Sequence, residues 1–465
     1  MKRSLPALAA FALLLSGCIQ PHYRRPEVPT PAFRGQSPGD TGADGSLGEL
    51  RWQDLIRDER LNELIGEALE NNHDVKIAMA RVLEARAQVG EARSRQFPGA
   101  DAQVSYNNVG MSRDGSMMLP DGLPAQSTYT KLLSAGSWEL DLWGRLRNAT
   151  AAARAQLLAT EEARHLVRTA LIGELAGAYF LLRDLDLERE IAVQSLASRQ
   201  QSLELVRLRV ENGYSSEIDL RQAEQLVKYA LTARTDLERQ IEQAENRISF
   251  LAGRGPGPIP RGRSLTEQEL AFQPRPGLPS ALLQRRPDIR KAEQELIAGY
   301  ALVAVAKAAY FPAISLTTTA GFESSELVNI LKTASRTWLL EPGVSVPVFN
   351  AGRLRAGLRG AVARRQQALL NYQRTVLGAF REVADALIGY RKAVELRKEQ
   401  ESLVASLRDT VELADLRYRG GVSSYLEYLD SERGFLDGGL RLAQVRREEL
   451  ISLIALYLAL GGGWQ

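Results

Sequence analysis

Trp138-Glu139-Leu140-Asp141-Leu142-Trp143-Gly144-Arg145-Leu146-Arg147 opens the stretch on which the fold turns. On its first side Trp138, Leu140 and Leu142 alternate with Glu139 and Asp141, the period of two expected of a strand with one greasy and one wet face. On its second side no proline occurs from Arg145 to Asn212, and glycine follows at Gly213. An unbroken helix over that run would be about 100 Å long, more than a compact domain can hold, so it predicts a coiled coil or a long bundle.

The same pairing of strand and long helix occurs twice. Gly144-Arg145-Leu146-Arg147 returns as Gly352-Arg353-Leu354-Arg355, and the offset of 208 residues carries Arg209, Gly213, Ser215 and Ser216 onto Arg417, Gly421, Ser423 and Ser424. Upstream, Asp74 to Phe97-Pro98 matches Asp288 to Phe311-Pro312, with 23 residues from Asp to Phe each time. Fixed spacing at so many points predicts an internal duplication. Each copy reads as helix, strand, loop, strand, very long helix, glycine turn and return helix, the return helices ending near Leu251 and Leu460.

In the second copy Ile314, Leu316, Thr318 and Ala320 alternate with Ser315, Thr317, Thr319 and Gly321, while Leu340, Val344, Val346 and Val348 share a parity. Four such strands suit either a sheet packed in a soluble domain or a share of a membrane barrel. They cannot close a barrel alone, since the smallest membrane barrels need eight, so several chains would have to contribute. In the long helices Val193, Leu196, Leu203, Val206 and Val210, then Val404, Leu407, Val411, Ala414 and Tyr418, recur at steps built of threes and fours. That is a heptad-like stripe, which the core of a helical bundle would also show. Gly253 to Pro279 holds six of the 19 prolines and is expected to be a non-helical linker running over a surface.

Composition narrows the chemistry. Ala, Glu, Lys, Leu and Arg supply 225 of 465 residues, a balance suited to long helices. The 59 basic residues are interspersed with 56 acidic ones, leaving a formal charge of +3 and no basic block for nucleic acid. The three histidines (His22, His73, His165) are far apart, and Cys18 is the single cysteine. Zinc sites, disulfides and thiol catalysis have little to work with. His73 and His165 read as surface helix residues, and Met111, Met117 and Met118 in one loop are weak support for soft-metal binding. No phosphate loop or triad appears, so neither an enzyme nor a cofactor is expected.

The amino terminus reads as an address. Met1-Lys2-Arg3 precedes an apolar run from Leu5 to Leu15, too short to span a bilayer, and Leu15-Ser16-Gly17-Cys18 resembles a bacterial lipobox. This implies cleavage before Cys18, acylation of that residue and, with Ile19 following, sorting to the outer membrane of a Gram-negative cell. No later run of eighteen consecutive apolar residues offers a transmembrane helix, so any span is expected to be a barrel. The expected division is a signal peptide (1–17), a lipidated extended segment (18–60), a first repeat (61–252), a linker (253–284) and a second repeat (285–465).

The segments Trp138 to Arg147, Leu282-Leu283-Gln284-Arg285-Arg286-Pro287-Asp288-Ile289, Tyr310-Phe311-Pro312-Ala313-Ile314-Ser315-Leu316 and Leu460-Gly461-Gly462-Gly463-Trp464 resemble the TolC-like outer-membrane efflux channels, in their NodT-type lipoprotein branch. The likeness covers nearly the whole mature chain. It implies a mixed, mainly α fold: a homotrimer with a twelve-stranded outer-membrane β-barrel, four strands per chain, continuing into a long α-helical periplasmic tunnel. It also implies a periplasmic adaptor protein at the helical tips and an inner-membrane pump, expected to be proton-driven. By the same resemblance Arg209, Gly213, Ser215, Arg417, Gly421 and Ser423 mark the adaptor-docking tips. Leu426 and Asp430 match positions of the family's periplasmic gate, with Glu427 and Asp219 as weaker lining candidates. Ile218 and Gln222 stand at the corresponding places of the first copy, so only the second copy is expected to line the narrowing. A plainer reading makes the glycines turns, the serines helix caps and Asp430 a partner of Arg433. The function implied is a passive exit duct for drugs or small solutes. The alternatives are an exit for metal ions or exported protein, and a non-conducting periplasmic coiled-coil lipoprotein.

Overall fold

The computed structural model describes residues 21–28, 34, 47–110, 112, 126–268 and 281–464. Cys18, the loop methionines Met111, Met117 and Met118, and linker residues 269–280 lie outside them. In chain order the elements are α1 (Trp52–Leu55), α2 (Glu59–Asn71), α3 (His73–Ser94), β1 (Gly99–Gly110), β2 (Gln126–Leu140), α4 (Arg145–Glu211) and α5 (Glu217–Leu251). They continue as α6 (Leu282–Arg285), α7 (Pro287–Ala308), β3 (Ala313–Ser324), β4 (Arg336–Ser345), α8 (Arg353–Arg419) and α9 (Tyr425–Ala459). Helices α3 and α7 have 22 residues each, α4 and α8 have 67, and α5 and α9 have 35. The described residues fold as two compact units, each assembled from pieces of both halves: those within 21–26, 82–160 and 292–372 in one, and the remainder in the other.

The first unit holds the sheet, an antiparallel meander in the order β1-β2-β3-β4 with β1 and β4 as its edges. Its register sorts the side chains by face. Val104 lies opposite Leu132 and Leu132 opposite Phe322; Trp138 faces Leu316, Leu140 faces Ile314, and Ile314 faces Val344. Asp101, Gln103, Ser105 and Asn107 take the other face with Lys131, Ser137, Glu139, Thr317, Thr319, Glu323 and Glu341. Lys131 Nζ reaches Glu323 Oε2 at 3.3 Å on that wet side. Among the described residues the apolar face is left uncovered: Val104 is 70% exposed and Trp338 78%. An uncovered apolar face of this extent marks contact with lipid or with another protein.

Leu142 falls beyond the end of β2, and Val346 and Val348 beyond β4, so the alternating strands are shorter than the pattern suggested. Parity continues past the last ladder bond because it depends on the residues and not on pairing. At the sheet's lower rim Trp143 stacks on Phe311 with ring centroids 5.0 Å apart and donates its Nε1–H to Pro312 O at 2.7 Å. The amino-terminal residues of this unit are fastened to α7: Tyr23 OH donates to Glu293 Oε1 at 2.7 Å, and Arg25 bonds both oxygens of the same carboxylate.

The second unit holds the helical hairpins. Its core includes Tyr179, Phe180, Leu175, Ile248, Leu453 and Tyr457, all but excluded from solvent. Eighteen residues within α4 are apolar enough to cross a bilayer by length and composition alone, but 44% of that window is already buried in the chain. Asp58, fully buried, caps α2 by accepting from Arg60 N and Leu61 N. Its other oxygen accepts from Tyr179 OH, Arg263 N and Gln268 Nε2. The linker therefore does not simply run over a surface: Ile259 and Leu265 are buried, and Asp58 holds residues 263–268 in place. His165 also departs from expectation. It is half-buried against Trp464, ring centroids 5.0 Å apart. Burial, reinforced by Arg164, Arg168 and Arg290, pushes its pKa down to about 4. His73 is exposed as expected.

Candidate functional site: the helical tips

The turns between α4 and α5 and between α8 and α9 are built alike. Gly213 has φ +75° and Gly421 φ +74°, the left-handed conformation that ends a helix at little cost only in glycine. Tyr214 N returns to Arg209 O at 2.8 Å and Val422 N to Arg417 O at 3.0 Å, closing both helix ends in the same way. A Cβ added at either glycine would meet nothing within 4 Å, so backbone conformation alone demands glycine here.

Beyond the turns the two hairpins diverge. In the first, Ser216 caps α5 through Asp219 N, while the Asp219 carboxylate accepts from Ser216 N and from Ser215 Oγ at 2.8 Å. These bonds hold the Asp219 carboxyl below its usual range despite some burial. In the second hairpin Ser424 precedes α9 without a side-chain cap bond. Glu427, the counterpart of Asp219, instead pairs with Arg417 at 2.9 Å. Arg417 is thus engaged within its own hairpin.

Arg209, the counterpart of Arg417, reaches across instead. Its guanidinium lies 4.5 Å from the centre of the Tyr418 ring and donates to the carbonyls of Tyr418 (3.4 and 3.5 Å) and Arg419 (3.3 Å). These are among the last carbonyls of α8, where a cation is favoured by the helix dipole. Tyr418 itself belongs to a buried cluster with Tyr425, Tyr428, Val206 and Ala223, in which both ends of the second turn pack on the first hairpin. The Tyr418 hydroxyl and Ser423 Oγ are buried without hydrogen-bond partners among the described residues.

Leu426 and Asp430 sit one turn apart on the outer face of α9. Leu426 is 66% exposed, and Asp430 is exposed with no hydrogen bond or ion pair among the described residues. Arg433 does not take Asp430 but approaches Asp437 at 3.9 Å. Ile218 is equally open at 69%, whereas Gln222 is half-buried. The sequence reading missed the tyrosine cluster beyond Tyr418. Tyr425 and Tyr428, both absent from the matching positions of the first copy (Glu217 and Leu220), were the available signal.

A sheet with one uncovered apolar face and two open edges among the described residues, whose second and fourth strands are each followed in the chain by a 67-residue helix, defines a subunit of a membrane β-barrel with a helical extension. Residues 64–254 and 278–462 match the family described as Outer membrane efflux protein, and the chain belongs to that family. It is 37% identical over 468 residues to the solvent efflux pump outer membrane protein SrpC of Pseudomonas putida, covering 99% of this chain and 98% of that protein. It is 34% identical over 460 residues to the cation efflux system protein CusC of Escherichia coli O6:H1, covering 98% and 97%. The solved structure of the outer-membrane channel OprN superposes with a TM-score of 0.88 at 31% identity, covering 96% of this chain and all of the other. The protein is accordingly an outer-membrane channel protein of efflux.

Proposed function

We propose that three copies of this chain form the exit duct of a tripartite efflux system. The observation that carries the reading is the sheet. Four antiparallel strands with β1 and β4 unpaired leave edge groups that cannot remain open in lipid, each costing several kcal/mol. Because β1 and β4 run in opposite directions, β4 of one copy can pair with β1 of the next without reversing the alternation. Three copies then close a twelve-stranded barrel, apolar face outward and wet face lining the bore.

The helices carry the duct onward from a duplicated unit, and their tips meet a periplasmic adaptor that joins an inner-membrane pump. Arg209, Gly213, Ser215, Arg417, Gly421 and Ser423 form the tips that dock the adaptor, with Arg209 tying one hairpin to the other. Leu426 and Asp430 line the closed aperture on the three-fold axis, where leucine excludes water and the carboxylates favour cations. Acylation at Cys18 adds an anchor in the outer membrane. The cargo is a small organic solute, the reading nearest to the solvent efflux relative. The duct performs no catalysis.

Light scattering of the purified protein should give a trimer, and a planar bilayer should show a mostly closed channel. Leu426→Ala with Asp430→Ala should raise resting conductance and weaken cation selectivity, while Ile218→Ala with Gln222→Ala should change little. A stable folded monomer would end the shared-barrel reading; a larger effect from the Ile218/Gln222 pair would move the gate to the other hairpin.

A further inference from the structure

Within the second unit, a cavity of about 420 Å³ lies between α4, α8 and α9, walled by Ile191, Val404, Phe435, Leu436 and Leu442. That volume is in the range of small-molecule sites, which combine apolar walls with a few placed polar groups. Its polar lining includes Ser195 and Glu432, with Ser198, Tyr428, Arg408 and Arg446. Glu432 is 7% exposed, and burial holds its carboxyl above the usual range against the opposing effects of Arg199 and a bond from Ser198. Its ion pair is incomplete. Arg199 Nε stands 3.9 Å from Glu432 Oε1, beyond hydrogen-bond reach. Neither atom has a hydrogen-bond partner among the described residues, and neither does the buried Ser195 Oγ. Arg199 Nη1 is already committed, donating to Leu226 O at 3.2 Å. Buried polar atoms seldom stay unpaired; Ser195 and Glu432 line one cavity, and Arg199 Nε stands within 3.9 Å of Glu432 Oε1, close enough for one small group to serve both.

We propose that this cavity binds a small amphipathic alcohol or phenol, its hydroxyl seated between Glu432, Arg199 and Ser195 and its apolar body against Ile191, Phe435 and Leu436. A hydroxyl has what the gap lacks: its O–H donates to Glu432 Oε1 while its oxygen accepts from Arg199 Nε–H. A hydrocarbon would leave both unpaired. A carboxylic acid would meet Glu432, and an amine would meet Arg199 with Arg408 and Arg446, which also line the cavity. The site does not depend on the trimer or on the gate, since this one chain supplies every residue named.

The test is calorimetric titration of 4-propylphenol into the full-length protein in lipid nanodiscs, with empty nanodiscs correcting for partition into lipid. Saturable binding at one site per chain is expected, with none for propylbenzene. Gly439→Leu fills the cavity without crowding the backbone, because a Cβ there meets only Ile191 Cδ1 at 3.9 Å, and should abolish binding while the melting temperature is kept or raised. Glu432→Gln, which weakens the acceptor, should cost about tenfold in affinity. The proposal is overturned if wild type shows no saturable heat, so that water alone occupies the gap. It is equally overturned if propylbenzene binds as tightly as the phenol, or if folded Gly439→Leu binds like wild type.

Discussion

Replacing Arg209 by alanine should loosen the closed tip, and the structure sets how much. The side chain contributes a cation–π contact with Tyr418 at 4.5 Å in a half-buried setting, worth about 0.5–2 kcal/mol. Its charge at the carboxyl end of α8 adds about 0.3–1 kcal/mol. The hydrogen bonds to Tyr418 O and Arg419 O, at 3.3–3.5 Å, are long and add little. Together these make about 1–3 kcal/mol that ties one hairpin to the other. If opening separates the hairpins, the open state should become roughly 5- to 150-fold more populated, at about 1.4 kcal/mol per tenfold. Arg417→Ala is the internal control. Its ion pair with Glu427 is solvent-exposed on both sides and lies within one hairpin, so it should contribute at most about 1 kcal/mol, none of it between hairpins. Single-channel recording should find Arg209→Ala often open, Arg417→Ala close to wild type, and Arg209→Lys, which keeps the charge but not the planar stack, between them. Were Arg417→Ala the leakier of the two, or Arg209→Ala a folded trimer as tightly closed as wild type, the brace would be misassigned.

Three further outcomes are expected. Asp58→Ala removes the α2 cap and strands Tyr179 OH, Arg263 N and Gln268 Nε2, so thermal unfolding should reveal a loss of about 3–5 kcal/mol and limited proteolysis should begin near residue 263. Gly421→Asn, which tolerates positive φ, should preserve efflux from cells, whereas Gly421→Val should abolish it without loss of trimer; equal efflux by both would detach the tip from docking. Two buried groups should tilt stability with pH in opposite senses. Burial raises Asp184 from 3.8 to about 7 despite Arg447 at 2.7 Å, so its contribution is full below 3.8 and lost as pH rises through 7; His165, lowered from 6.5 to about 4, contributes above 6.5 and loses that as pH falls through 4. Melting temperatures of Asp184→Asn and His165→Gln across this window should each flatten one arm, and an unchanged profile would count against that group.

Much of the fold was legible because the decisive information was local. The absence of proline from Arg145 to Asn212 needs no partner to be read, and the helix ends at Glu211 accordingly. Strand faces were legible for the same reason, and the ladder bears out the parity assigned to Trp138, Leu140, Ile314 and Leu316. Strand ends were not, because pairing is a relation between distant residues. Asp58 was invisible for that reason too: its partners Tyr179 and Gln268 are 121 and 210 residues away, and nothing in the sequence joins them. His165 looked like any polar helix residue until Trp464, near the other end of the chain, folded against it.

The tips show why a repeated motif can carry unequal roles. Arg209-x-x-x-Gly213-x-Ser215 and Arg417-x-x-x-Gly421-x-Ser423 give the same turn, with φ values one degree apart at the two glycines. What separates them lies outside the motif. Asp219 is short enough to bond Ser216 N and Ser215 Oγ at once, so it takes up the cap. Glu427, one methylene longer, extends to Arg417. Tyr418, where the first copy has Val210, then offers the unpaired Arg209 a ring and two carbonyls. These differences leave one hairpin capped from within and the other held from outside. The hairpin held from outside is the one that bears Leu426 and Asp430. A gate placed there can move when its brace is released while its neighbour keeps its shape, which is the asymmetry that the Arg209 and Arg417 variants measure.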